Sequence, residues 1–199
     1  MLSILAAASL AVPVPSGYQL GSVYSKLYYF DEFYGKDAAT MVQLWTDPKG
    51  RVIDCEVKET IGTARLAVRV CELLEGTRIA RPVAPGEPAA YGLTVLTLAI
   101  SDPRIVYNKV PFEELIRQLH ERWQGHDDTV SGAAVDKPVT GQLTLQIDRE
   151  GRVVNCARPD KPDTSLDCPV VQNRTFEIRS DAAGKPVPYV RTYLVRFTP

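Results

Sequence analysis

The chain has 199 residues, and 23 Lys and Arg residues against 24 Asp and Glu residues leave a formal net charge of −1. This length allows one medium domain or two small ones, and near-neutral charge argues against nucleic-acid binding, which usually needs a basic excess. No nucleophile elbow, Walker loop, dinucleotide fingerprint or zinc-protease motif occurs in the sequence. We therefore expect no enzyme activity, no cofactor and no metal site.

Residues 1–16 are free of charged side chains and mostly apolar. The stretch is too short to cross a bilayer, which takes about 20 apolar residues. Its length and small residues predict a signal peptide, with cleavage near Ser9-Leu10-Ala11 and a periplasmic or secreted mature protein. A buried first strand or a loose apolar tail is the alternative. An aromatic segment follows at 17–36 and is interpreted as either a strand or a short helix.

Residues 37–101 carry the signals of a first folded unit. Alternating apolar residues predict strands, and Leu66, Val70 and Leu74 recur at helical spacing. Asp47-Pro48-Lys49-Gly50 predicts a turn, because Pro presets φ and Gly readily adopts positive φ. The predicted elements are, in order, strand 40–45, strand 51–58, a helix capped by Thr63 and ending near 75, a short strand at 78–81 and strand 91–100.

Residues 102–137 separate this unit from the rest of the chain. Within them, the spacing of Phe112, Leu115, Ile116, Leu119 and Trp123 predicts an amphipathic helix over 111–123. Docking of this helix on one of the folded units is favoured over a free partner-binding helix. Residues 125–138 are predicted to be a flexible linker.

The pattern Asp-x-x-Gly-Arg-Val-x-x-Cys occurs twice, at 47–55 and at 148–156. A Gly-x-Pro sequence before Tyr91 recurs before Tyr189 at an offset three residues shorter, which suggests that the second copy has lost about one helical turn. The second unit, 138–199, is predicted to contain strands 142–147, 152–157 and 189–197, a helix near 165–172 and a short strand at 175–179. The predicted fold class is α+β, with two tandem β-β-α-β units, each an antiparallel sheet with one helix packed on a face.

Four cysteines fall two per unit and allow three pairings, of which the repeat selects Cys55–Cys71 and Cys156–Cys168. Each bridge would close a short loop worth about 3 kcal/mol. Such bridges persist only in an oxidising compartment, in agreement with export. Four buried reduced thiols in a cytosolic protein are the alternative.

This order of elements resembles the C-terminal domain of TonB, above all its cysteine-bearing relatives in exported bacterial proteins. The resemblance covers about 37–100 and 138–199. It implies an α+β fold that binds a protein or an extended peptide, such as an outer-membrane receptor segment, by strand addition. TonB's membrane-spanning helix and Pro-rich spacer have no counterpart here, so no membrane span is expected in the mature chain. The predicted partner-binding edge strand is Tyr189, Val190, Arg191, Thr192, Tyr193, Leu194, Val195 and Arg196, with the two arginines as guards against aggregation.

The first functional hypothesis is a non-enzymatic periplasmic binding module with an accessory role in envelope transport. The alternative is a structural or inhibitor-like secreted protein whose sheet edges are buried, which mutual pairing of the two units would favour. A third, an enzyme with a site between the units, has little support. His120 and His126 are six residues apart and do not share a helix face, and turn formation explains Asp47 and Asp148.

Overall fold

The computed structural model describes residues 22–23, 25–27, 37–79, 90–100, 112–122, 128–131, 136–157, 171 and 173–199. Within them the fold is mixed α/β, built on one seven-stranded sheet. No helix among the described residues is long and apolar enough to cross a membrane. The elements are β1 (Ala38–Thr46), β2 (Val52–Ile61), α1 (Ala64–Leu74), β3 (Tyr91–Ile100), α2 (Phe112–Arg122), β4 (Asp128–Ser131), β5 (Val139–Ile147), β6 (Val153–Ala157) and β7 (Tyr189–Thr198).

Strands β1, β2 and β3 form an antiparallel group that we call the first half-sheet. The strand order is β2-β1-β3, so β1 is central, and eight of its nine residues are buried. Helix α1 packs on one face through Leu66, Val70 and Leu74, whose spacing places them on a single side of the helix. Thr63 precedes the helix as predicted, although its side chain makes no capping hydrogen bond.

Strands β5, β6 and β7 form the second half-sheet with the same order, β6-β5-β7. Its hairpin has the register of the first. Cys156 lies opposite Leu145 as Cys55 lies opposite Leu44, and each end strand carries a bulge just after its turn. Most of the predicted second helix lies outside the described residues.

The two half-sheets join into one sheet through a short parallel seam between β3 and β7. Three residue pairs form it: Tyr91 with Tyr189, Gly92 with Val190, and Leu93 with Arg191. Farther along β7, the strand β4 pairs with Val195–Thr198, also in parallel. The predicted linker over 125–138 therefore contains a strand that sequence periodicity did not reveal.

The largest core of the first half-sheet and the core of the second half-sheet lie on opposite faces of this sheet. Leu44 and Trp45 are neighbours in β1, so their side chains point to opposite faces. Leu44 belongs to the first core, beneath α1. Trp45 lies on the face that continues through Tyr91 and Tyr189 to Ile147, and these residues belong to the second core. The first half-sheet therefore contributes Trp45 to the core of the second.

Helix α2 covers the face of the first half-sheet opposite α1. Leu115 and Leu119 are buried there against Ala39, Met41 and other apolar residues. The helix is therefore docked on the first half-sheet, as favoured from the sequence, and is not presented to a free partner. From the aromatic segment 17–36, Val23 and Leu27 are helical and buried in the first core.

The third strands correct the sequence alignment of the two halves. Matching Tyr91 with Tyr189 gave an offset three residues shorter than that of the hairpins. In the structure, Leu96, Leu98 and Ile100 face the first core in the places that Tyr193, Val195 and Phe197 take in the second. The sequence offset between the matching residues of β3 and β7 is therefore one residue shorter than the Tyr91–Tyr189 match suggests. A match wrong by one residue would place the core side chains on the opposite face of the sheet.

Candidate functional site

The strand predicted to be an open edge lies inside the sheet. Along one flank β7 makes nine antiparallel pairs with β5, from Tyr189–Ile147 to Phe197–Val139. Along the other flank Tyr189–Arg191 pair with β3 and Val195–Thr198 pair with β4. The edge prediction for residues 189–196 is therefore corrected.

The arginine that was interpreted as an edge guard instead packs on aromatic rings. The Arg191 guanidinium lies 5.0 Å from the ring centre of Phe176 and 5.2 Å from that of Tyr193, within cation–π range. Phe176 and Tyr193 meet edge to face at 5.3 Å. Arg196, by contrast, is exposed. A charged residue in a strand therefore does not by itself identify an edge.

An aromatic cluster lies on the seam between the half-sheets. The Trp45 ring stacks on Tyr91 at 5.2 Å and meets Tyr189 edge to face at 5.5 Å. Arg179 lies over the same indole at 5.8 Å. The buried Tyr189 hydroxyl donates to the Glu177 carbonyl at 2.8 Å, and burial raises the pKa of this phenol. Because Trp45 and Tyr189 are buried, we interpret the cluster as packing that holds the two half-sheets together.

The end strands β2 and β6 each pair with one strand only in the described sheet, although residues 76–79 hydrogen-bond to Gly50 and Val52 at the start of β2. Ile53 in β2 and Val154 in β6 occupy the same bulge position of their hairpins and are 45% and 57% exposed. Val57 in β2 is 42% exposed. A strand edge with unpaired backbone groups and large exposed apolar side chains can pair with a strand of another chain.

The two faces of β2 differ in chemistry. Asp54, Glu56 and Glu59 lie opposite alternate residues of β1, from Trp45 to Met41, and therefore share one face. Lys58 neutralises part of this charge through its 2.7 Å ion pair with Glu56. The opposite face carries Cys55, Val57 and Thr60, which lie opposite Leu44, Val42 and Thr40 of the first core face.

A disulfide ties this edge strand to the helix beside it. Cys55 of β2 is bonded to Cys71 of α1, with the two Cα atoms 5.5 Å apart, which confirms the first predicted pairing. Cys156 is also disulfide-bonded. Its predicted partner, Cys168, lies outside the described residues, so the second pairing stays a prediction.

The Asp-x-x-Gly turns are structural. In each, the Asp Oδ1 accepts two backbone N–H groups, at 2.8 and 2.9 Å for Asp47 and at 3.0 and 2.8 Å for Asp148. A third turn of the same kind at Asp181 was missed, although Gly184 stands at the same spacing. The predicted short strands at 78–81 and 175–179 are reduced to single bridges, Arg51–Arg78 and Arg152–Thr175.

No group of acidic, His or Cys side chains able to hold a metal ion occurs among the described residues. The side chain of His120 and the whole of His126 lie outside them. The arrangement that remains is a sheet edge with exposed apolar and acidic side chains, which can bind a chain but has no described catalytic group. No protein-family model matches the chain, and neither a curated protein nor a solved structure matches it.

Proposed function

We propose that this protein is a non-enzymatic, extracytoplasmic binding module that takes up an extended segment of another protein as an added strand on β2. The observation that carries the proposal is the exposure of Ile53 and Val57 on an end strand of the sheet. A segment added there would gain main-chain hydrogen bonds along the strand and bury these two side chains.

The chemistry of β2 indicates the kind of segment. Basic residues would meet Asp54, Glu56 and Glu59 on one face of the added strand, and apolar residues would meet Val57 on the other. Since successive side chains of a strand alternate between faces, the partner is an extended segment in which basic and apolar residues alternate. A segment of an outer-membrane receptor remains the partner that the resemblance to TonB C-terminal domains implies.

We also propose that the chain is a tandem duplication of a β-β-α-β unit related to those domains. Support comes from the equal registers of the two hairpins and the equal hydrogen bonding of their turns. The Cys55–Cys71 bridge supports export, because oxidising compartments preserve disulfides. The periplasm and an accessory role in transport are the finer parts of this proposal.

The matched residues Ile53 and Val154 provide the test. The double variant Ile53→Glu, Val57→Glu and the control Val154→Glu are immobilised beside the wild type and exposed to envelope extract. Proteins retained by the wild type and by Val154→Glu should be lost from the double variant, as measured by quantitative mass spectrometry. Equal retention by all three proteins, or no specific retention by the wild type, would contradict binding at β2.

A second candidate function is structural, in which the protein presents no functional edge. The pairing of β3 with β7 favours it, because this contact removes the edge that the sequence predicted. The two candidates differ in the same experiment, since a structural protein would retain nothing that depends on Ile53.

A further inference from the structure

Two arginines stand side by side at the tip of the first hairpin. Arg51 and Arg78 lie directly opposite each other in an antiparallel bridge. The residues that follow them, Val52 and Ile79, are buried in the first core. Because successive side chains of an extended chain alternate in direction, both arginines point to the other face, and both are exposed. Like charges directly opposite each other destabilise a strand pair.

One of these guanidinium groups is held in position by the turn. The Arg78 Nε donates to the Lys49 carbonyl oxygen at 2.7 Å, which fixes the direction of the side chain. Lys49 is exposed in the same turn, two residues before Arg51. Within the described ranges, no ion pair involves Lys49, Arg51 or Arg78. The first tip, as we call these three residues, therefore carries positive charge that no described carboxylate neutralises.

The matching tip of the second hairpin is neutralised. Its bridge joins Arg152 to Thr175, so a threonine stands where the first tip has Arg78. The Arg152 side chain forms ion pairs with two carboxylates of its own turn, at 2.8 and 3.1 Å. One of these belongs to Glu150, and Lys49 takes its place in the first turn. Two differences between otherwise equal turns therefore remove an anionic partner and add two cations.

We propose that the first tip binds a phosphate monoester, whose oxygens bridge Arg51 and Arg78 while Lys49 adds a third positive charge. Guanidinium groups suit this ligand because their parallel N–H groups form paired hydrogen bonds with phosphate oxygens. The bound dianion also offsets the repulsion between the two arginines, and local rules are typically broken at functional sites. The site does not rest on the binding proposed at β2.

Thermal unfolding of the full-length, disulfide-bonded protein tests the site, with inorganic phosphate as the probe and sodium chloride of equal ionic strength as the reference. Phosphate at about ten times its dissociation constant should raise the wild-type Tm by about 3 °C. Arg78→Thr copies the second tip, so it should raise the Tm without ligand and abolish the rise caused by phosphate. Arg152→Ala, in the matched tip, is the control and should keep the rise caused by phosphate.

The dissociation constant itself is measured by NMR titration of the arginine Nε–H signals with inorganic phosphate. Arg51→Lys keeps the charge but loses the planar pair of donors, so it should bind phosphate at least about tenfold more weakly than the wild type. Equal responses of the wild type, Arg78→Thr and Arg51→Lys would overturn the proposal. So would wild-type signals that shift no more in phosphate than in chloride.

Vesicles identify the source of the phosphate. Phosphatidylcholine vesicles with and without phosphatidic acid, whose headgroup is a phosphate monoester, are sedimented with the wild type, Arg78→Thr and Arg152→Ala. Sedimentation that requires phosphatidic acid and is lost only in Arg78→Thr would assign the site to a lipid headgroup. Binding of inorganic phosphate without such sedimentation would assign it to a soluble ester. Absence of both kinds of binding would overturn the proposal.

Discussion

The two half-sheets share their hairpins and differ in where each finds its core. Both hairpins share the register beside the turn, the bulge just after it and the turn geometry, whereas β2 carries a second bulge at Lys58. The first half-sheet is covered on both faces, by α1 on one and by α2 on the other. The second core instead takes Trp45 and Leu93 from the first half-sheet. A repeated sequence pattern can therefore fold into two halves with the same local structure, of which one completes its core with residues of the other.

The difference between the two halves is clearest at Trp45. In the second hairpin the same place is taken by Gln146, because Trp45 lies opposite Asp54 as Gln146 lies opposite Asn155. Trp45 is buried against Tyr91 and Tyr189, whereas Gln146 is only half-buried. The two positions thus have the same backbone place and different packing.

Replacing Trp45 should have the largest effect. Trp45→Ala removes the ring shared by both halves and should lower the free energy of unfolding by about 3–5 kcal/mol. Gln146→Ala, the matched control, should lower it by less than about 1 kcal/mol. Urea denaturation followed by circular dichroism measures both. Similar losses of unfolding free energy in the two variants would mean that the contacts of Trp45 across the seam do not stabilise the protein.

Removing the first disulfide should come next. The double variant Cys55→Ser, Cys71→Ser opens a loop of sequence separation 16 and should cost about 3 kcal/mol, mainly by enlarging the freedom of the unfolded chain. Val68→Ser, at an exposed residue of the same helix, is the control. Equal urea midpoints for the double variant and the wild type would contradict a stabilising role of the Cys55–Cys71 bridge. Peptide mapping without reduction would also test the Cys156–Cys168 pairing in the second half.

Two glycines compare a crowded turn with an open one. Gly151 and Gly184 have φ of 81° and 76°, so alanine at either position should cost about 1–2 kcal/mol from the left-handed backbone. A Cβ on Gly151 would also lie 2.3 Å from the Phe176 carbonyl oxygen, whereas Gly184 has nothing within 4 Å. Gly151→Ala should therefore lose about 1–3 kcal/mol more than Gly184→Ala in thermal unfolding. Equal losses would show that Phe176 moves freely aside.

The smallest expected effects concern acid pH. Desolvation acts to raise the pKa of Asp148, but hydrogen bonds from Arg152 and the Glu150 backbone outweigh it and lower the value. Hydrogen bonds from Arg117 and Gln118 lower the pKa of Glu114 from 4.5 to about 2. Because folding lowers both values, the stabilisation is present above the ordinary carboxyl pKa and is lost as pH falls through the folded one.

Carbon-detected NMR titration of the side-chain carboxyls measures these shifts in the folded protein. In Arg152→Ala the Asp148 pKa should rise towards its ordinary value while that of Glu114 stays low. An unchanged Asp148 pKa would assign the shift to the backbone N–H groups alone. The titration thus separates the hairpin turn of the second half from the helix that covers the first.

Local patterns in the sequence predicted the local parts of the fold. The Asp-x-x-Gly spacing predicted both hairpin turns, and the matched positions of Cys55 and Cys156 led to the correct pairing of Cys55 with Cys71. The same spacing would have found the third turn at Asp181. The periodicity of strand 91–100 and of the helix over 111–123 agrees closely with β3 and α2. Each of these signals lies within one segment or one repeat.

Long-range pairing could not be predicted in the same way. The seam between β3 and β7 depends on which face each strand buries, and the Tyr91–Tyr189 match placed that face one residue out of step. The charge of Arg191 alone predicts a guarded edge, whereas in the fold this side chain packs on Phe176 and Tyr193. Strand β4 is too short and too polar for periodicity to reveal. The candidate binding edge is therefore β2, an end strand, and not β7, which lies inside the sheet.

The narrowness of the seam has a mechanical consequence. Only three residue pairs connect the half-sheets through β3 and β7, while each hairpin remains broadly bonded within itself. We expect the sheet to flex first along this crease, with the Trp45 indole as the pivot. A pull exerted at the β2 end would then reach the C-terminal strand as a change of angle, without unzipping either hairpin.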